Sequence, residues 1–230
     1  MSVFYVLTSG FLSSLPFIGS VLGGIWMPFG TILLAYGAKN ALEGKHPDYD
    51  AFFTALKTPG LRTRLIYIGI IYAIGLQISV TVFLAFGAEN VNAMLNAAAD
   101  ESATADVSFP FGAMAVSLLV YIPVLLLSLF SPLLIADSDQ KVGKSLFDSF
   151  MGIVYQWPSV LSAAAIYLGV TISLAAASFA LFVLLNISAY YMFFMPLFVV
   201  FTTGIAYAML WPMYRDMYGV MGRFRPQSGR

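Results

Sequence analysis

Long apolar runs separated by short polar elbows dominate this chain. Four runs, roughly 65–88, 109–136, 158–186 and 190–214, contain no Asp, Glu, Lys, Arg or His. Each exceeds the roughly 20 apolar residues that a helix needs to cross a ~30 Å hydrocarbon core. Residues 1–38 are apolar too, but Pro16, Gly19, Gly23, Gly24 and Pro28 break them too often for one straight helix. They divide into two short spans, about 3–20 and 22–38; the alternative is one span plus a re-entrant segment. The pattern predicts an all-α integral membrane protein of about six transmembrane helices in three hairpins, forming a single membrane domain over 1–230.

Between the hairpins the periodicity changes. Tyr49, Phe52, Phe53 and Leu56 share one helical face, with Asp50, Thr54 and Lys57 opposite. A second elbow starts at a cap on Ser138 or Asp139 and carries Val142, Leu146, Phe150, Ile153 and Trp157 on one stripe. Met213, Met217, Val220, Met221 and Phe224 repeat the pattern after the last span. Three amphipathic elbow helices in one orientation suggest a parallel internal repeat. Such elbows either lie on the membrane surface or pack against neighbouring helices.

Charge gives the orientation. All 11 Lys and Arg residues fall in the elbows or the C-terminal tail, and the opposite connectors (17–22, 89–108 and 186–190) contain none. By the positive-inside rule the elbows and both termini are cytoplasmic. The connector with Glu89, Asp100, Glu101 and Asp106 reads as a solvated loop with at most a short helical turn. The N-terminus has no basic residue ahead of its apolar run and no cleavage pattern, so it reads as a first span rather than a signal peptide.

Composition narrows the function classes. The 230 residues are 60% hydrophobic and 10% charged, with a mean hydropathy of +0.87, outside the range of soluble domains. A net charge of zero provides no basic field for nucleic acid. With no cysteine, thiolate metal sites and a cysteine nucleophile are ruled out. His46 stands alone, too few ligands for zinc, and no intramembrane His or Lys is present to activate a serine. Charge-free spans argue against proton relays and ion-coupled carriers, which depend on such groups. No cofactor site and no Walker-type phosphate loop is expected.

What remains is packing and surface. Small residues recur every fourth position in two spans, at Gly69, Ala73, Gln77, Thr81 and Ala85, and at Ala165, Gly169, Ser173 and Ala177. This spacing lets helices approach closely and suggests that these two spans pack together, with Gln77 as a hydrogen-bonding glue; a homodimer seam is the alternative. Pro28, Pro123 and Pro196 are the expected kinks of the even spans. Trp26, Trp157, Trp211, Tyr190 and Tyr191 read as an interfacial aromatic belt. Lys39, Lys57, Arg62, Arg64, Lys141, Lys144 and Arg215 are the candidate contacts for anionic lipid or a partner.

The runs LSSLPFIGSVLGGIWMPFG, ALEGKHPDYDAFFTAL, FSPLLIADSDQKVGKSLFDSF and MYRDMYG carry a resemblance. Through Pro16, Gly19, Gly44, Phe52, Phe130, Pro132, Leu134, Ser149, Phe150, Tyr214, Arg215 and Asp216 the chain resembles a family of small polytopic inner-membrane proteins of proteobacteria. More distantly, its layout is similar to membrane domains attached to some glycerophosphodiester phosphodiesterases. The resemblance implies a bacterial inner-membrane location and supplies no catalytic residues. The expected function is that of a non-enzymatic accessory or assembly partner in a membrane complex, in contact with membrane lipids and with a protein partner or further copies of itself. The alternative is a transporter or lipid-handling protein with a cleft lined by proline-kinked helices.

Overall fold

The computed structural model describes residues 1–13, 19–46, 49–99, 109–186 and 191–223. All regular structure within them is helical: α1 (Ser2–Ser13), α2 (Gly19–Leu42), α3 (Asp50–Lys57), α4 (Pro59–Ala99), α5 (Phe111–Ser128), α6 (Ser131–Ser138), α7 (Val142–Tyr155), α8 (Trp157–Leu184) and α9 (Tyr191–Arg223). Among these residues, five stretches are long and apolar enough to cross a membrane: Val21–Leu42, Pro59–Met94, Phe111–Ser138, Trp157–Leu184 and Phe193–Gly219. Pro16, the acidic residues at 100, 101 and 106, Tyr190, Phe224, Arg225 and Arg230 lie outside the described residues.

Of the expected first span, 3–20, residues 14–18 lie outside the described residues; α1 covers 12 residues and rises about 18 Å. It runs antiparallel to α2, with Tyr5 against Gly30 and Met1 against Gly37. The third span is longer than expected. α4 has 41 residues, and the stretch from Glu89 to Ala99, read above as a loop, continues the helix. Its sequence ENVNAMLNAAA contains neither Gly nor Pro and is rich in Ala, the strongest helix former, so nothing stops propagation.

The close helix contacts run between other partners than the two small-residue stripes. α4 packs chiefly against α5 and α2. A Cβ at Gly69 would stand 2.5 Å from the Ile25 Cα, and one at Gly24 would stand 2.6 Å from the Ala73 Cβ, so backbones meet there. On its other side α4 is tied to α5 by polar contacts. Ser79 and Ser117 exchange hydroxyl-to-carbonyl bonds, each 2.9 Å, and the Tyr121 hydroxyl donates to the Tyr72 hydroxyl. Bonds of this kind between membrane helices contribute about 0.6 kcal/mol each. Gln77, expected to act as glue, is exposed, as are Ala165, Gly169 and Ser173 on α8.

Two buried clusters hold the bundle. One joins Phe29, Ile32 and Leu33 of α2 to Phe52, Leu65, Ile68 and Ile135. The other joins Ala35 to Phe130, Leu133, Leu134 and Ile153, and to Leu210, Trp211, Tyr214 and Met217 of α9. Both lie toward the end of the bundle where α2 finishes and α4 begins, the end that carries the basic residues. The last elbow is not separate: α9 continues through Pro196 and Pro212 to Arg223 as one 33-residue helix.

Candidate functional site at the basic end

The break in the fourth span is the most constructed feature of this end. Helix runs through Pro28, Pro123 and Pro196, and is interrupted instead between α5 and α6, at Leu129 and Phe130. Pro132 has no N–H, and its ring crowds the carbonyl of the residue four before it, Ser128. The Phe130 N–H donates to Ser149 Oγ at 3.2 Å, and the Ser149 hydroxyl donates to the Leu126 carbonyl at 2.9 Å. One hydroxyl from α7 is thus inserted between the donor and acceptor of what would be an ordinary helical bond, a recognised cause of helix bending. The Ser131 hydroxyl sits between the carbonyls of Leu127 and Ser145, so a second serine couples the same two segments.

This geometry turns α7 part way toward its serines. Its buried residues are Ser145, Ser149, Gly152 and Ile153, the last of them on the expected stripe, while Val142, Leu146 and Phe150 of that stripe are half-buried and Trp157 is exposed. The small polar face packs because it must approach α5 and α6 closely enough to reach their backbone. A Cβ at Gly152 would stand 2.5 Å from the Tyr218 hydroxyl, which donates to the Asp148 carbonyl. The cap differs too. Lys141 precedes α7, while Asp139, in the left-handed region at φ 49, ends α6.

The basic candidates separate into three groups. Arg64 is used internally. Its guanidinium donates to the Asp139 and Gln140 carbonyls, both at 2.8 Å, and pairs with the Asp139 carboxylate, clamping α4 to the end of α6. Lys39 is held by aromatics, its Nζ 5.1 Å from the Trp211 ring centre and 5.5 Å from that of Tyr36. Lys57, Arg62, Lys141, Lys144 and Arg215 are exposed; Lys57 lies over the Phe53 ring, and Arg215 pairs with Asp216 at 3.2 Å. Trp211 is buried and Trp26 stacks on Phe29, so both pack inside the protein rather than in the expected belt, whereas Trp157 is exposed. The packed elements at this end, joined through the cluster around Phe130, Trp211 and Tyr214, form a collar. Beside it, Lys45 donates to Glu43 at 2.6 Å, and that bond holds the exposed Glu43 carboxyl below its ordinary range.

At the other extreme stands α8. Not one of its 28 residues is buried. It packs mainly on α9 and more lightly on α7, with Val160 touching the collar core. The contact with α9 is aromatic, Phe182 lying 5.5 Å from both Tyr191 and Phe194. Further along, the two helices enclose a groove of about 500 Å³, walled by Leu174, Leu181, Leu197 and Phe201 among others. Among the described residues no group of three or more His, Asp or Glu converges at metal-ligand spacing.

The fold defines a class, an all-α multi-pass membrane protein with a packed basic end and an unpacked helical arm. Comparison with protein-family models, curated proteins and solved structures finds no match to this chain.

Proposed function

We propose that this chain is a non-enzymatic accessory or assembly component of a bacterial inner-membrane complex, and that α8 is the helix it offers to its partner. The observation that carries the reading is that no residue of α8 is buried and its small-residue face lies open, whereas Gly69 and Ala73 of the other stripe are buried against α2. Ala165, Gly169 and Ser173 present an open face suited to close approach by another transmembrane helix. The collar gives that arm a fixed base. In this reading the basic end, with Lys57, Arg62, Lys141, Lys144 and Arg215 exposed, faces the cytoplasm, as do both termini.

The test is purification in mild detergent with mass spectrometry of the wild type and of Gly169→Leu. A reproducible partner, lost in the variant while the bundle stays folded, supports the reading. Recovery of a lone chain at all concentrations overturns it. Orientation is tested separately by labelling a cysteine introduced at Lys144 or at Glu89; labelling of the Lys144 site from outside intact cells would reverse it.

A second reading, lipid handling, is favoured by the groove between α8 and α9, which lies beside Pro196 and is open to the bilayer. Bulky substitutions at Ala177 that leave lipid movement in reconstituted vesicles unchanged would remove it.

A further inference from the structure

The first helix is polar toward the bundle and apolar away from it. Its described polar side chains, Ser2, Tyr5, Thr8 and Ser9, are all half-buried, whereas Val3, Phe4, Leu7 and Phe11 are exposed. What the inner face meets is polar too. The Tyr207 hydroxyl faces those of Thr31 and Tyr5, and the Tyr5 and Tyr207 rings stand 5.8 Å apart. Thr8 returns its hydroxyl to the Phe4 carbonyl at 2.6 Å, but Ser9 Oγ is buried with no partner among the described residues, and so is Trp26 Nε1. The register that sets Met1 on Gly37 and Tyr5 on Gly30 brings Ser9 level with Trp26. Where this polar row begins, α1, α2 and α9 leave a pocket of about 210 Å³, walled by Ser2, Leu34, Ala38, Gly204 and Tyr207 among others.

We propose that this pocket binds a small uncharged hydroxylic solute, held between the Ser2 and Tyr207 hydroxyls. Polar side chains in membrane segments are retained where they face protein or a water-lined cavity. Two buried atoms without partners mean that this seam carries more hydrogen-bonding capacity than the bundle returns, and such atoms mark the place of a polar guest. The guest is uncharged because no ionisable side chain lines the pocket to compensate a charge. Lys39, next in sequence to Ala38, is turned instead to the rings of Tyr36 and Trp211. Against the roughly 30 Å³ that a water occupies, the volume admits a triol with little to spare. The α8 face has no part in this site.

An acyl chain is the competing occupant. It would have to lie against the polar side of α1 and would leave both hydroxyls without a new partner.

The chain has no cysteine, so one introduced thiol reports on the pocket. Ala38→Cys places it in the wall and leaves both hydroxyls intact. In discs of lipid bilayer, which expose both faces, uncharged 2-hydroxyethyl methanethiosulfonate is expected to react about tenfold faster than its trimethylammonium or sulfonate relatives. Glycerol at about twice its dissociation constant should slow that reaction about threefold, and sucrose, too large to enter, should not. Tyr207→Phe should remove the protection, and Ser2→Ala on the opposite wall should do the same, so the test survives if one of them fails to fold. An added Cβ at Gly204 stands 3.9 Å from the Ser2 Cβ, within the roughly 3.5–4.5 Å of a disulfide, so Ser2→Cys/Gly204→Cys should cross-link on mild oxidation. Absence of that cross-link means that α1 does not wall the pocket and overturns the proposal. So does equal reaction with all three reagents, or none with any. Selective reaction without glycerol protection means water only and overturns it as well, as does protection that survives both hydroxyl variants.

Discussion

Gly69 and Gly169 both belong to stripes of small side chains recurring every fourth position on an apolar helix, yet their surroundings are opposite. At Gly69 the α2 backbone fills the space where a side chain would be; around Gly169 there is no atom within 4 Å of an added Cβ. Apolar character alone does not separate these cases. Lipid tails are as apolar as leucine, so a helix face turned to lipid and one turned to protein carry similar sequences. What separates them is what lies opposite: the Gly69 face of α4 meets Gly24 and Ile25, whereas the Gly169 face of α8 meets no other helix of the described residues.

The largest expected effect sets the two glycines directly against each other. Gly69→Val should destabilise the bundle by about 3 kcal/mol, because backbone on the facing helix cannot move aside, whereas Gly169→Val should change it by less than about 0.5 kcal/mol. Unfolding of both variants in mixed micelles measures the gap. Comparable losses would mean that α8 is packed after all.

Next come the serines. Ser149→Ala strands the Phe130 N–H and the Leu126 carbonyl, at a cost of about 2 kcal/mol, while Ser173→Ala on the exposed arm should be silent. Hydrogen exchange at the Phe130 amide, faster in Ser149→Ala, locates the loss.

A smaller difference is expected between two arginines only two positions apart. Arg64→Lys loses the fork that reaches two carbonyls and should cost about 1 kcal/mol; Arg62→Lys, at an exposed site, should cost almost nothing. If thermal unfolding ranks them the other way, the clamp is not what joins α4 to α6.

The smallest effect concerns Glu43. Its carboxyl is held low by Lys45, so whatever the pair contributes is present above the ordinary carboxylate range and fades as pH falls through the lowered value. Titration followed by NMR should show that value rising in Lys45→Ala, with no change in the fold.

Much of the architecture was legible because the signals were local. Span positions followed from charge-free runs, and the segregation of basic residues followed from counting. What could not be read depended on contacts distant in sequence. Pro123 and Pro132 look alike along the chain, and only the arrival of Ser149 distinguishes the helix that continues from the one that breaks. The stripe on α7 advertised a buried face, and Ile153 keeps it, but Leu146 and Phe150 are only half-buried because Ser145 and Ser149 take the closest approach to the backbone of α5 and α6. Arg64 carries no mark in the sequence that separates it from Arg62. Its clamp becomes visible only once Asp139 ends α6 in a left-handed turn.

The inserted hydroxyl of Ser149 also bears on length. Phe111–Ser138 is 28 residues and would measure about 42 Å as one straight helix, longer than a bilayer core of about 30 Å. The break at Leu129 and Phe130 leaves α5 with 18 residues, about 27 Å, close to that thickness, and sets α6 apart from it. The serine that satisfies the break therefore also fixes how much of this apolar run is one continuous span.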